Sequence, residues 1–598
     1  MTAGSNRSHG GRLSNLPASA VMQRVVNLWL DLGLFLLFLF FCAAATAHAQ
    51  NPKETKSGAD TIILHGRVYT LNPKQAWAQA LAIRADRIVA VGDDAAIEKF
   101  RHPGTKVIDG AGQLVMPGFV DCHIHFMDGA LSLGRVNLEG AKDVPDIQLR
   151  LRDYVSQHPG TDWLLGRGWD YAMFGAAALP DKKYLDELFP DRPVYLEGYD
   201  GHTYWANSKA LAIAGITRDT PDPANGIIVR DPATREATGA LKEAAHELVG
   251  RFIPEPTRAE KLAALRAGLK WANENGLTRV HSAGGDFPEL ELYDELRRHG
   301  DMTLRFYIAY FMDPPELRSK DVEAIESARK KYHDAWIDTD AVKFMVDGVI
   351  ESHTAAMLDP YSDDASLKGK LFWDPAKYNA AVAELDKRGL QLFTHAIGEL
   401  GVRTALDGYQ HAEEINHTRD RRPRIEHIET ISSSDIPRFG KLGVIASMQP
   451  LHSYPNVDTL DVWAHNAGPG RASRAWVWKS IADAGGHYAF GSDWPVVTLN
   501  PWYGLQTAVT RQTREGTPEA GFVPSQRLTV AQAVQGYTLD AAFAGRREMT
   551  EGSLEKGKLA DLIIVSQNIF EIDPHKISET KVHTTIVGGQ VVYQSDAK

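Results

Sequence analysis

The chain has 598 residues, 43% of them hydrophobic and 24% charged, with a formal net charge of −11. At roughly 150 residues per domain this is too long for one simple domain, and the composition is that of an ordinary globular protein. So mild an acidic balance, with no Lys/Arg-rich patch, argues against a nucleic-acid binder.

Residues 1–49 read as a signal peptide. Arg24 precedes the apolar run Gly33–Ala47, which leads into Ala47-His48-Ala49, so cleavage is expected after Ala49. Met22 is an alternative start. The apolar core after Asp31 is shorter than the ~20 residues a membrane span needs. A secreted or periplasmic protein without stable membrane insertion is therefore expected. Phe41 ahead of Cys42 does not suit a lipid-anchor site, where a small residue is required. Cleavage leaves Cys122 as the single cysteine, so no intramolecular disulfide can form even in an oxidising compartment.

After a polar linker, residues 61–109 read as short strands rich in β-branched residues and punctuated by Gly and Asn. The stretches from Ala560 and Val582 look the same. Together the two ends predict one small β-sandwich, built from residues 50–117 and 553–598. The segment between them, 118–552, alternates apolar strands with helical patterns such as 259–275 and 375–388. Eight strands are expected, at GFVDCHIH, LTRVHSAG, TLRFYIAYF, AVKFMVDG, LQLFTHAIG, RIEHIE, GVIASMQP and HYAFGSDWP. That number of βα units predicts an α/β fold closed as a (β/α)8 TIM barrel. One connection breaks the rhythm. Roughly 150 residues separate Phe126 from Gly276, where a βα loop usually takes about 2–6. An α+β subdomain inserted at about 135–245 is expected there, emerging on the C-terminal face of the barrel and walling a substrate pocket.

Six polar residues recur at these strand ends: His123 and His125, Lys343, His395, His427 and Asp493. Side chains at i and i+2 of a strand share a face, so His123 and His125 can offer nitrogens to one cation. Neutral imidazole and carboxylate are ordinary zinc ligands. Each residue alone has a plainer explanation. His395 and His427 fit as core histidines, Asp493 as a turn cap, and Lys343 as a stem covering apolar surface. Their recurrence at five strand ends of one barrel is what carries weight.

The sequence resembles the metal-dependent amidohydrolase superfamily, in the branch that includes N-substituted formamide deformylase. The likeness spans nearly all of the chain after the signal peptide: VMPGFVDCHIH, GRGWD, GYDGHTYWANSKAL, VKFMVDG, HAIGE, RIEHIE, FGSDWPV, Tyr537-Thr538 and GSLEKGKLADLIIV. It implies a mononuclear or binuclear centre at the barrel mouth. His123, His125 and Asp493 would hold the more buried metal and His395 and His427 the second, with Lys343, carboxylated by CO2, between them. An unmodified Lys343 would repel cations and leave room for one metal only. Zinc is the expected ion, although the ligand types also accept manganese and iron.

The implied reaction is hydrolysis of an amide-type C–N bond in a small organic molecule by metal-activated hydroxide, with Asp493 as general base and then acid. The alternatives are an ester or lactone hydrolase on the same centre, or an inactive barrel serving as a binding or assembly protein. Relatives carry Asp where HAIGE has Glu399, which is expected to orient His395. Arg167, His202, His281, His353 and Trp494 are candidate substrate contacts, and Trp169 and Trp205 suggest an aromatic lining. Cys122 is expected to point away from the metals together with Ile124. No phosphate loop or nucleophile elbow is present. A small molecule is the expected partner, and association of identical chains is compatible with the sequence.

Overall fold

A computed structural model describes residues 58–595, apart from 160, 161, 178, 286 and 313. The expected signal peptide, 1–49, lies outside the described residues. Eight parallel strands form one nearly closed sheet: β1 (Phe119–Ile124), β2 (Leu277–Gly285), β3 (Arg305–Phe311), β4 (Ile337–Met345), β5 (Gln391–Ala396), β6 (Arg424–His427), β7 (Ile445–Met448) and β8 (His487–Phe490). All eight are the strands expected from the sequence. Helices cover their outer face and side chains fill the interior, so β1, β5, β6 and β7 are buried at every position. The helix before β2, Arg258–Glu274, starts at a capping box between Thr257 and Glu260 and buries Leu265, Leu269 and Ala272.

β4 begins at Ile337, earlier than the expected Ala341. Asp338 and Asp340 hide this start in the sequence. In the fold they are paired, Asp338 with Arg547 and Asp340 with Arg329.

Where β8 comes back to β1, the two backbones pass so closely that a Cβ on Gly491 would lie 2.4 Å from the His123 nitrogen. Asp121 Oδ1 accepts from Ser492 N at 2.9 Å and from His123 N at 3.1 Å. The Asp493 N–H donates to the His123 carbonyl at 2.6 Å. These contacts close the barrel and set Asp493 beside His123 in the same step. Asp493 and His427 both have positive φ, +63° and +75°, a backbone cost of the kind found where function dictates side-chain direction.

Two further sheets are built from the chain ends, the first from the N-terminal segment alone and the second from both. One orders strands Arg87–Gly92, Ala80–Arg84, Thr61–Leu64 and Lys106–Asp109. The other runs Gln590–Gln594, Val582–Val587, Leu562–Val565, Leu114–Pro117, Arg67–Tyr69 and Trp77–Ala78. Ile63, Leu81 and Val115 from one end share a core with Leu562 and Ile586 from the other. Buried ion pairs Arg279–Glu551 and Arg305–Asp561 tie β2 and β3 to the C-terminal segment. The insert after β1 builds its own six-stranded sheet between Val136 and Glu243. Trp169 and Trp205 pack edge-to-face in this insert, 6.4 Å apart and fully buried, as core residues and not as a pocket lining.

Candidate metal centre

Strand register places the six predicted residues on one rim. Met345 stands opposite His395, His395 opposite Glu426, and Ala396 opposite His427, while the β8–β1 seam adds His123, His125 and Asp493. Asp493 is the hub. Its Oδ1 lies 3.3 Å from both His123 Nε2 and His125 Nε2. Its Oδ2 lies 3.8 Å from His427 Nδ1 and 3.7 Å from His452 Nε2. Lys343 Nζ is 3.3 Å from His123 Nε2. The His395 ring centres 4.6 Å from that of His427. The structure therefore brings all six together, buried except for His125, which is 30% exposed at the mouth.

The protonation states follow from burial. Desolvation, and then neighbouring imidazoles and ammonium, hold His395 and His427 well below the usual histidine range, so both are neutral. Burial opposes ionisation of Asp493, but the surrounding imidazoles outweigh it and keep the carboxyl well below its ordinary value. Burial draws Lys343 down to about 8, where a neutral amine is accessible.

Around this ring sit groups that orient it. His123 Nδ1 meets Glu426 Oε2 at 2.5 Å, which aims Nε2 at Asp493. Glu426 is itself held by Arg424 at 2.9 Å. Gln449 Oε1 lies 2.9 Å from His427 Nδ1, and the Gly348 carbonyl 3.2 Å from His395 Nε2. Such partners fix ring orientation and tautomer. Glu426→Gln should therefore weaken divalent-metal affinity by about 10–100-fold, read by competitive chelator titration. An unchanged affinity would remove Glu426 from this role.

Several expectations change. Glu399 does not orient His395; it is turned to Arg471 and Arg474, at 3.2 and 3.1 Å. The acidic neighbour of His395 is Asp347, 3.7 Å away. Arg167 and His202 do line the cavity above the centre, Arg167 paired with Glu197 at 3.1 Å and His202 with Glu243 at 2.9 Å. His281, Trp494 and His353 do not line it. His281 sits four residues before the end of β2, deep in the barrel, with Nδ1 3.0 Å from Arg424. Trp494 is core, packed edge-on against Phe126 and Trp271. His353 pairs with Asp363 at 2.8 Å. Cys122 and Ile124 part company: Ile124 joins the main core, while Cys122 bonds to Ser447 and packs near Ala541 and Ala544.

Sequence reasoning missed His452. It lies in the turn Pro450–Ser453, four residues past β7, with its ring parallel to that of His427 at 5.9 Å. Extending the strand-end rule past GVIASMQP would have found it.

The residues fit a divalent cation. Asp493 Oδ1 is buried and makes no well-formed hydrogen bond despite two imidazole nitrogens at 3.3 Å. Two donor triads, His123–His125–Asp493 and His427–His452–Asp493, each bring their ligand atoms within 4.8 Å of one another. Neutral imidazoles around a carboxylate are the donor set of zinc and its neighbours.

A parallel barrel whose strand ends present such a set defines a metal-dependent hydrolase. The model of the amidohydrolase family matches residues 106–593, and the chain belongs to that family; it is a metal-dependent amidohydrolase. It is 33% identical over 542 residues to Protein LONG AFTER FAR-RED 3 of Arabidopsis thaliana, covering 90% of this chain and 92% of that protein. It is 25% identical to N-substituted formamide deformylase of Arthrobacter pascens, covering 90% and 98%. Its fold is similar to that of an uncharacterized metal-dependent hydrolase from Pyrococcus horikoshii OT3, with a TM-score of 0.68, 23% identity, and 86% and 99% coverage. Among the described residues no helix is long and apolar enough to cross a membrane.

Proposed function

We propose that the protein is an exported hydrolase that cleaves an amide-type C–N bond in a small organic molecule. The observation that supports this most is the meeting of both Asp493 oxygens with four imidazoles at the floor of a cavity of about 1430 Å3. His123, His125 and Asp493 would hold one cation; His395, His427 and a carboxylated Lys343 would hold a second, zinc being the ion that suits these donors. When bound, the metal lowers the pKa of water and polarises the scissile carbonyl. The rest is done by the chain. Asp493 takes the proton of the attacking water and carries it to the departing amine nitrogen. Glu426 and Gln449 keep the imidazoles of His123 and His427 in register while it does so. The insert supplies Arg167, Glu197 and Tyr199 to the wall of the cavity.

The similarity to N-substituted formamide deformylase favours an N-substituted amide. Paired N-acyl and O-acyl compounds with identical side chains, offered to metal-replete protein, test the choice. Turnover of the N-acyl members is expected. Turnover confined to the O-acyl members would replace the amide with an ester or lactone.

A further inference from the structure

One histidine of the cavity stands beside the metal centre without belonging to it. His202 lies in the turn between the insert strands Val194–Gly198 and Thr203–Ala206, lines the cavity, and centres its ring 5.7 Å from that of His395. Its backbone is pinned on both sides. The His202 N–H donates to Asp200 Oδ1 at 3.0 Å, and the His202 carbonyl accepts from Glu243 N at 2.9 Å. The ring is fixed as well, with Nδ1 2.9 Å from Glu243 Oε2.

Glu243 is placed at a cost. Its φ is +48°, a region that a β-carbon disfavours. Thr354 Oγ1 donates to Glu243 Oε1. The two approach so closely that a Cβ on Gly348 would lie 2.5 Å from Glu243 Oε1 and 2.1 Å from Thr354 Oγ1. Strain at a buried carboxylate directs attention to the side chain it holds. What remains of that side chain is Nε2. Among the described residues Nε2 has no hydrogen-bond partner, and Glu243 is the one carboxylate paired with the ring. Two other strong donors of the wall are spent, Arg167 on Glu197 at 3.1 Å and Tyr199 on Glu351 at 2.8 Å. Burial opposes a charge on His202, but Glu243, and then Asp200 and Asp493, outweigh it and lift the imidazole to about 9. Both ring nitrogens then carry protons, and the Glu243 carboxylate compensates the charge.

We propose that His202 is a further catalytic residue: held by Glu243, its Nε2–H donates a hydrogen bond to the carbonyl oxygen of the scissile amide. As the oxygen of water adds to the carbonyl carbon, the π pair moves onto the carbonyl oxygen, and a donor already in place stabilises the charge that develops there. The proton stays on Nε2. The pair returns to the carbonyl when the C–N bond breaks and the amine leaves with the proton that Asp493 delivers. This role rests on the hydrolytic function above and adds to it a residue supplied by the insert and not by a barrel strand.

The test uses the full, metal-replete enzyme with N-formylpentylamine as substrate. His202→Ala should lower kcat by about 10²–10³-fold, the scale of losing one such donor, while KM changes little. Elemental analysis should show the same metal content as wild type, because His202 ligates nothing. Methylphosphonate, a tetrahedral anion shaped like the addition product, gives a readout free of turnover. By calorimetry it should bind the His202→Ala enzyme at least about tenfold more weakly than wild type, as the loss of a charge-assisted hydrogen bond requires. If alanine disturbs folding, His202→Leu, which keeps the bulk without the donor, takes its place. An unchanged kcat, or equal binding of methylphosphonate, overturns the donor role. So does a loss of metal, which would make His202 a support for His395. Absence of turnover by wild type counts against the hydrolytic function, and the methylphosphonate comparison then decides the role of His202 by itself.

Discussion

Asp493→Asn should lower kcat by about 10³-fold or more, the scale expected when a general base is lost. The asparagine side chain has nearly the same shape, and the Asp493 N–H bond to the His123 carbonyl belongs to the backbone, so the barrel seam should survive. What disappears is charge. Both carboxylate oxygens face imidazole nitrogens, Oδ1 at 3.3 Å and Oδ2 at 3.7 to 3.8 Å. A neutral amide cannot take a proton from water, and it is a weaker partner for a cation. Elemental analysis should show metal content falling alongside kcat, while the melting temperature of the metal-free protein stays near that of wild type. A variant keeping more than a tenth of wild-type turnover would move the proton-transfer role to another group.

The largest effect on stability is expected at Arg279. Its guanidinium meets both oxygens of Glu551, at 2.6 and 2.8 Å, and the side chains are 1% and 4% exposed. It also donates to the Ala335 carbonyl at 3.1 Å. Arg279→Ala leaves Glu551 as an uncompensated charge inside the protein, which costs about 3–5 kcal/mol. The double change Arg279→Ala/Glu551→Ala should be less damaging than the sum of the single changes, because it removes the stranded charge as well as its partner. Thermal melts of the four proteins measure this. Strict additivity would show that the pair acts through packing and not through charge. Because this pair ties β2 to the C-terminal segment, the loss should also loosen the attachment of that segment to the barrel.

Some of the site was legible in the chain because it is local. The i, i+2 spacing of His123 and His125 needs only strand geometry, and the apolar runs that mark the eight strands are set by their immediate neighbours. His395, His427 and Asp493 could be placed by one further step, that strand ends of a single barrel meet at one mouth. The errors have a common cause. His281 lies as close to a strand end as His123 when only a sequence pattern is read, but β2 runs on to Gly285 and leaves it deep in the barrel. Glu399 stands four residues from His395, yet the helix it opens turns it to Arg471 and Arg474. Trp494 follows Asp493 directly, yet its ring lies in the core against Gly129, Phe126 and Trp271.

By itself, then, the sequence pointed to the strand count, the barrel, the insertion after the first strand and six polar residues that meet at the barrel mouth, since each depends on periodicity or on residue type at a strand end. Only the tertiary structure decided how those residues are oriented and what faces them. His452 enters from a turn beyond β7, Glu426 reaches across from β6 to aim His123, and Asp347 replaces Glu399 beside His395. The cavity above the centre draws on segments as far apart in the chain as Arg167 and Asp458, which no spacing connects. Contacts between distant segments arise from loop packing around a closed barrel, and that packing is a property of the whole fold.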